Sequence, residues 1–263
     1  MTNPSPAEQA EQNGAGTRPR RRSSTLTFVR DVLIIILIAI VVSFLVKTFL
    51  VRSFYIPSAS MEHTLEINDR ILVNELVPGP GSLKRGDVVV FADPGGWLPA
   101  NNDDVAPVTP LSWLLNVTGL VPTDSNNHLI KRVIGLPGDE VSCCSVAGQL
   151  EVNGQPIDEP YVTLPSGTTA VSDQKFDVTV PKGRLWVMGD NRYDSADSRA
   201  NMDGPTHGFV PISDVVGRAF VITWPSSRWS WLSNYSQVFA DVPNRPSSAS
   251  TTAPATPVPT PAG

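Results

Sequence analysis

Residues 32–46, VLIIILIAIVVSFLV, carry no charge, and after Lys47 the residues TFLV extend the apolar stretch to Val51. A run of about 20 residues matches one bilayer thickness as a helix. Nothing else in the chain constrains the fold as strongly, because a segment this apolar needs lipid or a large core around it. Lys47 is close enough to the end of the run to extend its ammonium into the interface. Arg18, Arg20, Arg21, Arg22 and Arg30 precede the run, so the positive-inside rule places the N-terminus in the cytoplasm and residues from 52 onward outside. A cleaved secretory signal has the same basic and apolar regions. No small-x-small site follows the run, however, which favours an uncleaved anchor over residues 31–51.

Charge is distributed to match. Residues 1–30 sum to +3 and residues 48–263 to −8, within a net charge of −5 over 263 residues. An acidic body argues against nucleic acid as a partner, and a basic head suits anionic lipid. Residues 1–30 are polar and Arg-rich, and residues 243–263 hold six prolines and one charge. Both are expected to be disordered tails. Residues 52–242 must then form the folded extracytoplasmic domain.

Strand signals dominate that domain. DRILVNEL (69–76), DVVVFAD (87–93), HLIKRVIGL (128–136), GRLWVMGD (183–190) and DVVGRAFVIT (214–223) are rich in β-branched residues and bounded by turn formers. Asn153-Gly154 within QLEVNGQPI (149–157) has the sequence form of a type I′ hairpin. Helical periodicity outside the apolar run is nearly absent. The pattern predicts a mainly β body, an antiparallel sheet with barrel-like character. Residues 92–127 form a long irregular insertion whose apolar piece, 111–121, is either a short helix or a flap. The adjacent Cys143 and Cys144 are read as two thiols on opposite faces of a strand, since neighbouring cysteines join only in a strained ring.

Three stretches carry chemistry. Ser58-Ala59-Ser60-Met61 follows Pro57 in a sequence suited to a tight turn that exposes a hydroxyl. Lys131 opens KRVIGLPGDEV, an apolar strand in which desolvation would lower the amine's pKa and make it a usable base. GDNRYDSADSR (189–199) crowds Asp and Arg together, as in a scaffold of charge-assisted hydrogen bonds. Counted back from Gly204, a calcium loop would need a ligand at Arg199, which excludes it. No G-x-S-x-G elbow is present. His63, His128 and His207 are the only histidines, and a distant Ser-His-Asp triad stays open on sequence alone.

Taken in order, PSASM with TL and NDRILVNEL, then KRGDVVVF (84–91), KRVIGLPGD and GDNRYDSADSR resemble the boxes of the type I signal peptidases, or leader peptidases, which are membrane-bound Ser-Lys proteases. The resemblance implies Ser60 as nucleophile and Lys131 as general base. It implies that the Ser58 hydroxyl joins the Ser60 N–H in the oxyanion hole, that Ser195 orients the lysine, and that Asp197 and Arg199 form a supporting ion pair. It further implies removal of signal peptides from exported preproteins, after small residues of the A-x-A type, at the outer face of a bacterial plasma membrane, with no metal or other cofactor. His63 stands where many relatives carry a turn-stiffening proline, and residues 92–127 are longer than the family pattern. A self-cleaving repressor-type Ser-Lys protease shares the chemistry, and a non-enzymatic anchored β-domain needs none of it.

Overall fold

The computed structural model describes residues 25–98 and 127–244, with side chains of the N-terminal helix described over residues 27–43. The two expected tails, apart from their inner ends, and most of the 92–127 insertion, including the 111–121 segment, lie outside the described residues. The chain divides into two units, Met1–Ser43 and Phe44–Gly263.

The apolar run forms α1, which extends from Thr25 to Phe49, 25 residues in all, and so ends within the second unit. Its described side chains are exposed all round, Leu33, Ile35, Leu37 and Ile40 among them. Such a helix has no single apolar stripe with which to pack on a core. Over the described residues alone, no helix is long and apolar enough to cross a membrane.

The second unit is built from two antiparallel sheets. Its strands are β1 (Val51–Tyr55), β2 (Arg70–Asn74), β3 (Val88–Ala92), β4 (His128–Gly135), β5 (Glu140–Cys143), β6 (Leu150–Val152), β7 (Gln155–Pro156), β8 (Phe176–Thr179), β9 (Arg184–Met188), β10 (Val210–Pro211), β11 (Val215–Trp224) and β12 (Ser230–Trp231). The larger sheet runs β1-β2-β11-β3-β4-β9-β10, with β12 added on β11, and the smaller runs β7-β6-β5-β8. Among the described residues each path has two free ends, so the barrel-like expectation is corrected: neither sheet closes on itself. Closure would require the two terminal strands to pair, and β1 and β10 each have one neighbour. Val51, expected as the last anchor residue, is also the first residue of β1, where it pairs with Asn74.

All six strand segments expected from sequence form strands. The Asn153-Gly154 turn has φ 55° and 78° at its two residues, the left-handed pair that a type I′ hairpin requires. The strands without a sequence signal are mostly short, such as β10 and β12 at two residues each, too short for a period-2 pattern. The two cysteines correct another expectation. Cys143 and Cys144 are joined as a disulfide at the end of β5.

Apolar residues from both sheets fill three core clusters. One gathers Phe54, Ile56, Met61, Leu65, Ile71 and Ile130. A second gathers Val89, Phe91, Leu129, Val133 and Val187. The third gathers Ile134, Val141, Leu150, Phe176 and Trp186 on the smaller sheet. β4 contributes to all three, and every residue from Leu129 to Gly135 is buried. This central strand brings a lysine and an arginine into the interior. Close approaches elsewhere depend on glycine. At Gly86, where φ is +85°, an added Cβ would lie 1.8 Å from the Asn234 carbonyl oxygen. Gly86→Ala is therefore expected to cost roughly 3 kcal/mol or more, measured as a lower denaturant midpoint with unchanged slope.

Candidate active site

The nucleophile box follows β1 directly. Residues Ala59–Met61 form one 3₁₀ turn whose Ser60 and Met61 are buried, while Ser58 before it is extended and exposed. Met61 and Leu65 fix the turn to the core, and the Leu65 N–H donates to the Met61 carbonyl at 2.7 Å. The Ser58 and Ser60 hydroxyls are 3.3 Å apart. His63 departs from the family pattern in conformation as well as identity. Its φ is +75°, which proline cannot adopt, and its N–H donates to Glu66 Oε1 at 3.3 Å, which proline cannot do. The turn here is held by that bond and by core packing rather than by a ring.

Lys131 lies 71 positions further on, in β4. Antiparallel pairing places β4 between β3 and β9, with Val89 opposite Lys131 and Met188 opposite Arg132. Lys131 is 4% exposed. Its Nζ donates to Ser60 Oγ at 2.7 Å and to the Ile130 carbonyl at 3.0 Å. Burial lowers its pKa from 10.5 to about 8, a fall only partly offset by the carboxylates of Asp197 and Asp190. When the amine is neutral the same contact reverses, and Ser60 O–H donates to the Nζ lone pair.

The polar loop after β9 surrounds this pair with buried, two-point ion pairs. Arg199 donates from Nε and Nη2 to Asp197 Oδ1 and Oδ2 at 3.0 and 2.8 Å. Asp197 Oδ2 also accepts the Gly189 N–H at 3.0 Å. Asp197 and Arg199 are thus paired as the sequence implies. Sequence reasoning assigned no role to two further pairs. Arg132 grips Asp190 at 2.8 and 2.6 Å, and Arg192 grips Glu159 at 2.6 Å through both terminal nitrogens. Arg132 and Asp190 occur in the quoted motifs, so their types were visible but not their partnership. Glu159 lies outside every motif.

The segment after β9 also supports the serine turn directly. Asn191 donates its N–H to the Ser60 carbonyl at 3.2 Å and its side-chain amide to the Ala59 carbonyl at 3.2 Å. Thr64 donates to Asp190 Oδ2 at 2.5 Å. Gly189 allows the contact: a Cβ there would lie 2.4 Å from the Ser60 carbonyl oxygen and 2.2 Å from Ser195 Oγ. Ser195 therefore reaches the site, but its buried hydroxyl makes no hydrogen bond among the described residues, and Lys131 Nζ bonds to Ser60 and Ile130 instead. Among the described residues no group of three or more His, Cys, Asp or Glu side chains is arranged to hold a metal ion.

A serine hydroxyl bonded to a desolvated amine is the arrangement of a serine hydrolase, in which the nucleophile needs an adjacent base. Comparison with known proteins agrees. Residues 29–224 match the family described as signal peptidase, peptidase S26. The chain is 39% identical over 231 residues to a signal peptidase I of Mycobacterium tuberculosis, covering 81% of this chain and 76% of that protein. It is 38% identical over 253 residues to a probable signal peptidase I of Mycobacterium leprae, covering 85% and 84%. A solved signal peptidase I from Enterococcus faecalis aligns at TM-score 0.34 with 25% identity, covering 52% of this chain and 97% of that one. The chain belongs to the S26 signal peptidase family, and it is a serine peptidase, a hydrolase. Membership in a peptidase family sets aside the non-enzymatic scaffold.

The lowered pKa has a thermodynamic consequence. Between pH 8 and 10.5 the unfolded lysine still binds a proton that the folded one has released, so stability rises with pH across that window. The shift from 10.5 to about 8 corresponds to roughly 3 kcal/mol. Lys131→Met removes the dependence. Denaturant unfolding at pH 7.5 and pH 10 is expected to show wild type gaining on the variant by up to that amount at the higher pH.

Proposed function

We propose that this protein is a membrane-anchored serine endopeptidase that removes signal peptides from exported preproteins by a Ser60–Lys131 mechanism. One observation carries the reading: a buried lysine, its pKa lowered to about 8, has its amine 2.7 Å from the hydroxyl of Ser60. The relatives named as signal peptidase I support the choice of substrate.

In this mechanism neutral Lys131 accepts the Ser60 proton while Oγ attacks the scissile carbonyl carbon. The tetrahedral oxyanion is bound by the Ser60 N–H and the Ser58 hydroxyl. Lys131 then passes its proton to the leaving amine, which departs as the new N-terminus of the mature protein. The signal peptide remains as an ester on Ser60. Water attacks that ester, gives its proton to Lys131, and the signal peptide leaves as a carboxylic acid while Ser60 Oγ recovers its hydrogen. In each half-cycle Lys131 is transiently an ammonium with a third N–H to place. We assign the unpartnered Ser195 hydroxyl as its acceptor. Asp197 and Arg199 hold the Gly189 peptide against the turn. Small side chains at the −1 and −3 positions of the substrate follow from shallow apolar subsites that larger groups would overfill.

The same reading assigns 1–30 as a cytoplasmic basic tail, 31–51 as a single membrane anchor, 52–242 as the extracytoplasmic peptidase domain with its 92–127 insertion, and 243–263 as a tail. A helix apolar on every side, behind a cluster of arginines, supports the anchor. The exposed Trp224 on β11, Trp231 on β12 and Trp229 between them support a lipid-facing patch on the catalytic domain.

Purified protein in detergent is expected to cut a preprotein carrying an Ala-x-Ala site, and Ser60→Ala and Lys131→Met are expected to be folded and inert. Activity of Lys131→Met equal to wild type would exclude the lysine as base. Ser58→Ala removes one oxyanion donor and is expected to reduce kcat about 100-fold, a smaller loss than Ser60→Ala. The neutral lysine is the active form, so kcat/KM should rise with pH and level off above about 8.

A second measurement addresses the bilayer. The anchor-free domain with Trp229→Ser and Trp231→Ser is expected to co-sediment with anionic vesicles at least fivefold less than the unsubstituted domain. Equal sedimentation would remove the lipid-facing patch.

A further inference from the structure

The segment Ile157–Val162 follows β7 on the smaller sheet, yet it binds two arginines of the site on the larger one. Glu159 is 7% exposed and Tyr161 4%. Glu159 receives both terminal nitrogens of Arg192 at 2.6 Å. It also accepts the Tyr161 hydroxyl at 2.7 Å through Oε1. The Tyr161 ring lies beneath the Arg132 guanidinium, 4.0 Å from Cζ to the ring centroid. One carboxylate and one phenol therefore couple Arg192 to Arg132 without either arginine touching the other's acid partner.

Both arginines end on the strip that supports the nucleophile. Arg192 Nε donates to the Gly189 carbonyl at 3.0 Å, and Arg132 holds both carboxylate oxygens of Asp190. The strip touches the serine turn at four points already described: the Gly189 contact with the Ser60 carbonyl, the Asn191 N–H to that carbonyl, the Asn191 side-chain amide to the Ala59 carbonyl, and Thr64 to Asp190. Asp197 holds the Gly189 N–H and Arg192 holds its carbonyl, so the glycine is fixed from both sides. Nothing in this chain of contacts needs Glu159 to reach substrate. Its effect passes through Arg192 and Gly189 to the backbone of Ser60.

We propose that Glu159, together with Tyr161, is a positioning residue of the Ser60–Lys131 site, setting the strip 189–192 against the nucleophile turn from the second sheet. The inference rests on the peptidase reading above. A buried carboxylate gripping a buried arginine at two points is a rigid device, because neither group can rotate without leaving a charge unpaired. A surface glutamate in the same place would fold as well and position less. The charge also matters. With Glu159 neutral, Arg192 would remain as an uncompensated cation in the same buried network, disfavouring the ammonium form of Lys131.

The test uses the full-length protein in detergent and a peptide with an Ala-x-Ala site. Glu159→Gln keeps the shape and removes the charge, and Tyr161→Phe keeps the ring over Arg132 and removes only the bond to Glu159. Expected are a fall in kcat of at least 30-fold for Glu159→Gln and about threefold for Tyr161→Phe, with KM within twofold of wild type. In Glu159→Gln the acid limb of the pH–rate profile should move to lower pH, and Glu159→Asp should recover part of kcat and return the limb toward its wild-type position. Destabilisation alone would lower the active fraction and leave the limb where it was. The proposal is overturned if Glu159→Gln, assayed well below its Tm, keeps kcat within twofold and an unmoved limb. If Glu159→Gln does not fold, wild-type kcat in both Tyr161→Phe and Glu159→Asp overturns it equally. Wild type and Ser60→Ala run alongside separate the two ideas: a wild type that does not cut, or a Ser60→Ala that does, refutes the peptidase mechanism and the positioning role with it, whereas a cutting wild type, an inert Ser60→Ala and an unaffected Glu159→Gln refute the positioning role alone.

Discussion

The geometry of the site follows from how buried positive charge is neutralised. Four basic side chains are buried among the described residues: Lys131, Arg132, Arg192 and Arg199. Each arginine has a carboxylate of its own, bound at two points, in Asp190, Glu159 and Asp197. Lys131 has none, only a hydroxyl and a carbonyl. An ammonium in that position loses its hydration and gains little in return, so the neutral amine is favoured and the pKa falls. Asp197 and Asp190 act on the lysine through space, which offsets the fall only in part, while each is bound at two points by its own arginine.

Those pairs are poor candidates for net stability. Taking two charges out of water costs several kcal/mol per ion, and replacement by apolar groups is often neutral or better. Their value here is geometric. Arg132–Asp190 ties residues 189–199 to β4, Arg192–Glu159 ties them to the segment after β7, and Arg199–Asp197 closes the loop on itself, and this loop carries the glycine against which the Ser60 turn rests. Breaking one of them by removing a single partner leaves a lone buried charge, which typically costs 3–5 kcal/mol. The site is accordingly sensitive to single substitutions far from the reacting atoms.

The two-sheet body gives that loop its supports. β4 and β9 lie side by side in the larger sheet, so Lys131 and the loop after β9 emerge together. The smaller sheet delivers Glu159 and Tyr161 from the far side. Its β5 ends in the Cys143–Cys144 disulfide, and Cys144 Sγ approaches the Ser172 carbonyl at 3.8 Å while Ser172 Oγ accepts Arg199 Nη1 at 3.2 Å. The second sheet is therefore in contact with the periphery of the site at two separate places.

Much of this was written in local sequence. β-Branched runs between turn residues gave six strand segments, because period and composition act within a few residues. Motif order pointed to Ser60, Lys131 and the Asp197–Arg199 pair, since the family's boxes are contiguous strings, and the fold brings Ser60 to Lys131 and Asp197 to Arg199. Other features had no local signal. Glu159 and Tyr161 sit in an irregular stretch, and their partners lie 33 and 29 positions away in Arg192 and Arg132. The openness of the sheets depended on which strands found neighbours, not on any one strand. The joining of Cys143 to Cys144 ran against the simple expectation from Cα spacing. The chain by itself determined which segments are apolar, which are strands and which residue types were available for chemistry, because those follow from side chains and near neighbours. Only the tertiary structure decided that Lys131 would be buried without a carboxylate and 2.7 Å from Ser60, because its environment is supplied by strands and loops from across the whole domain.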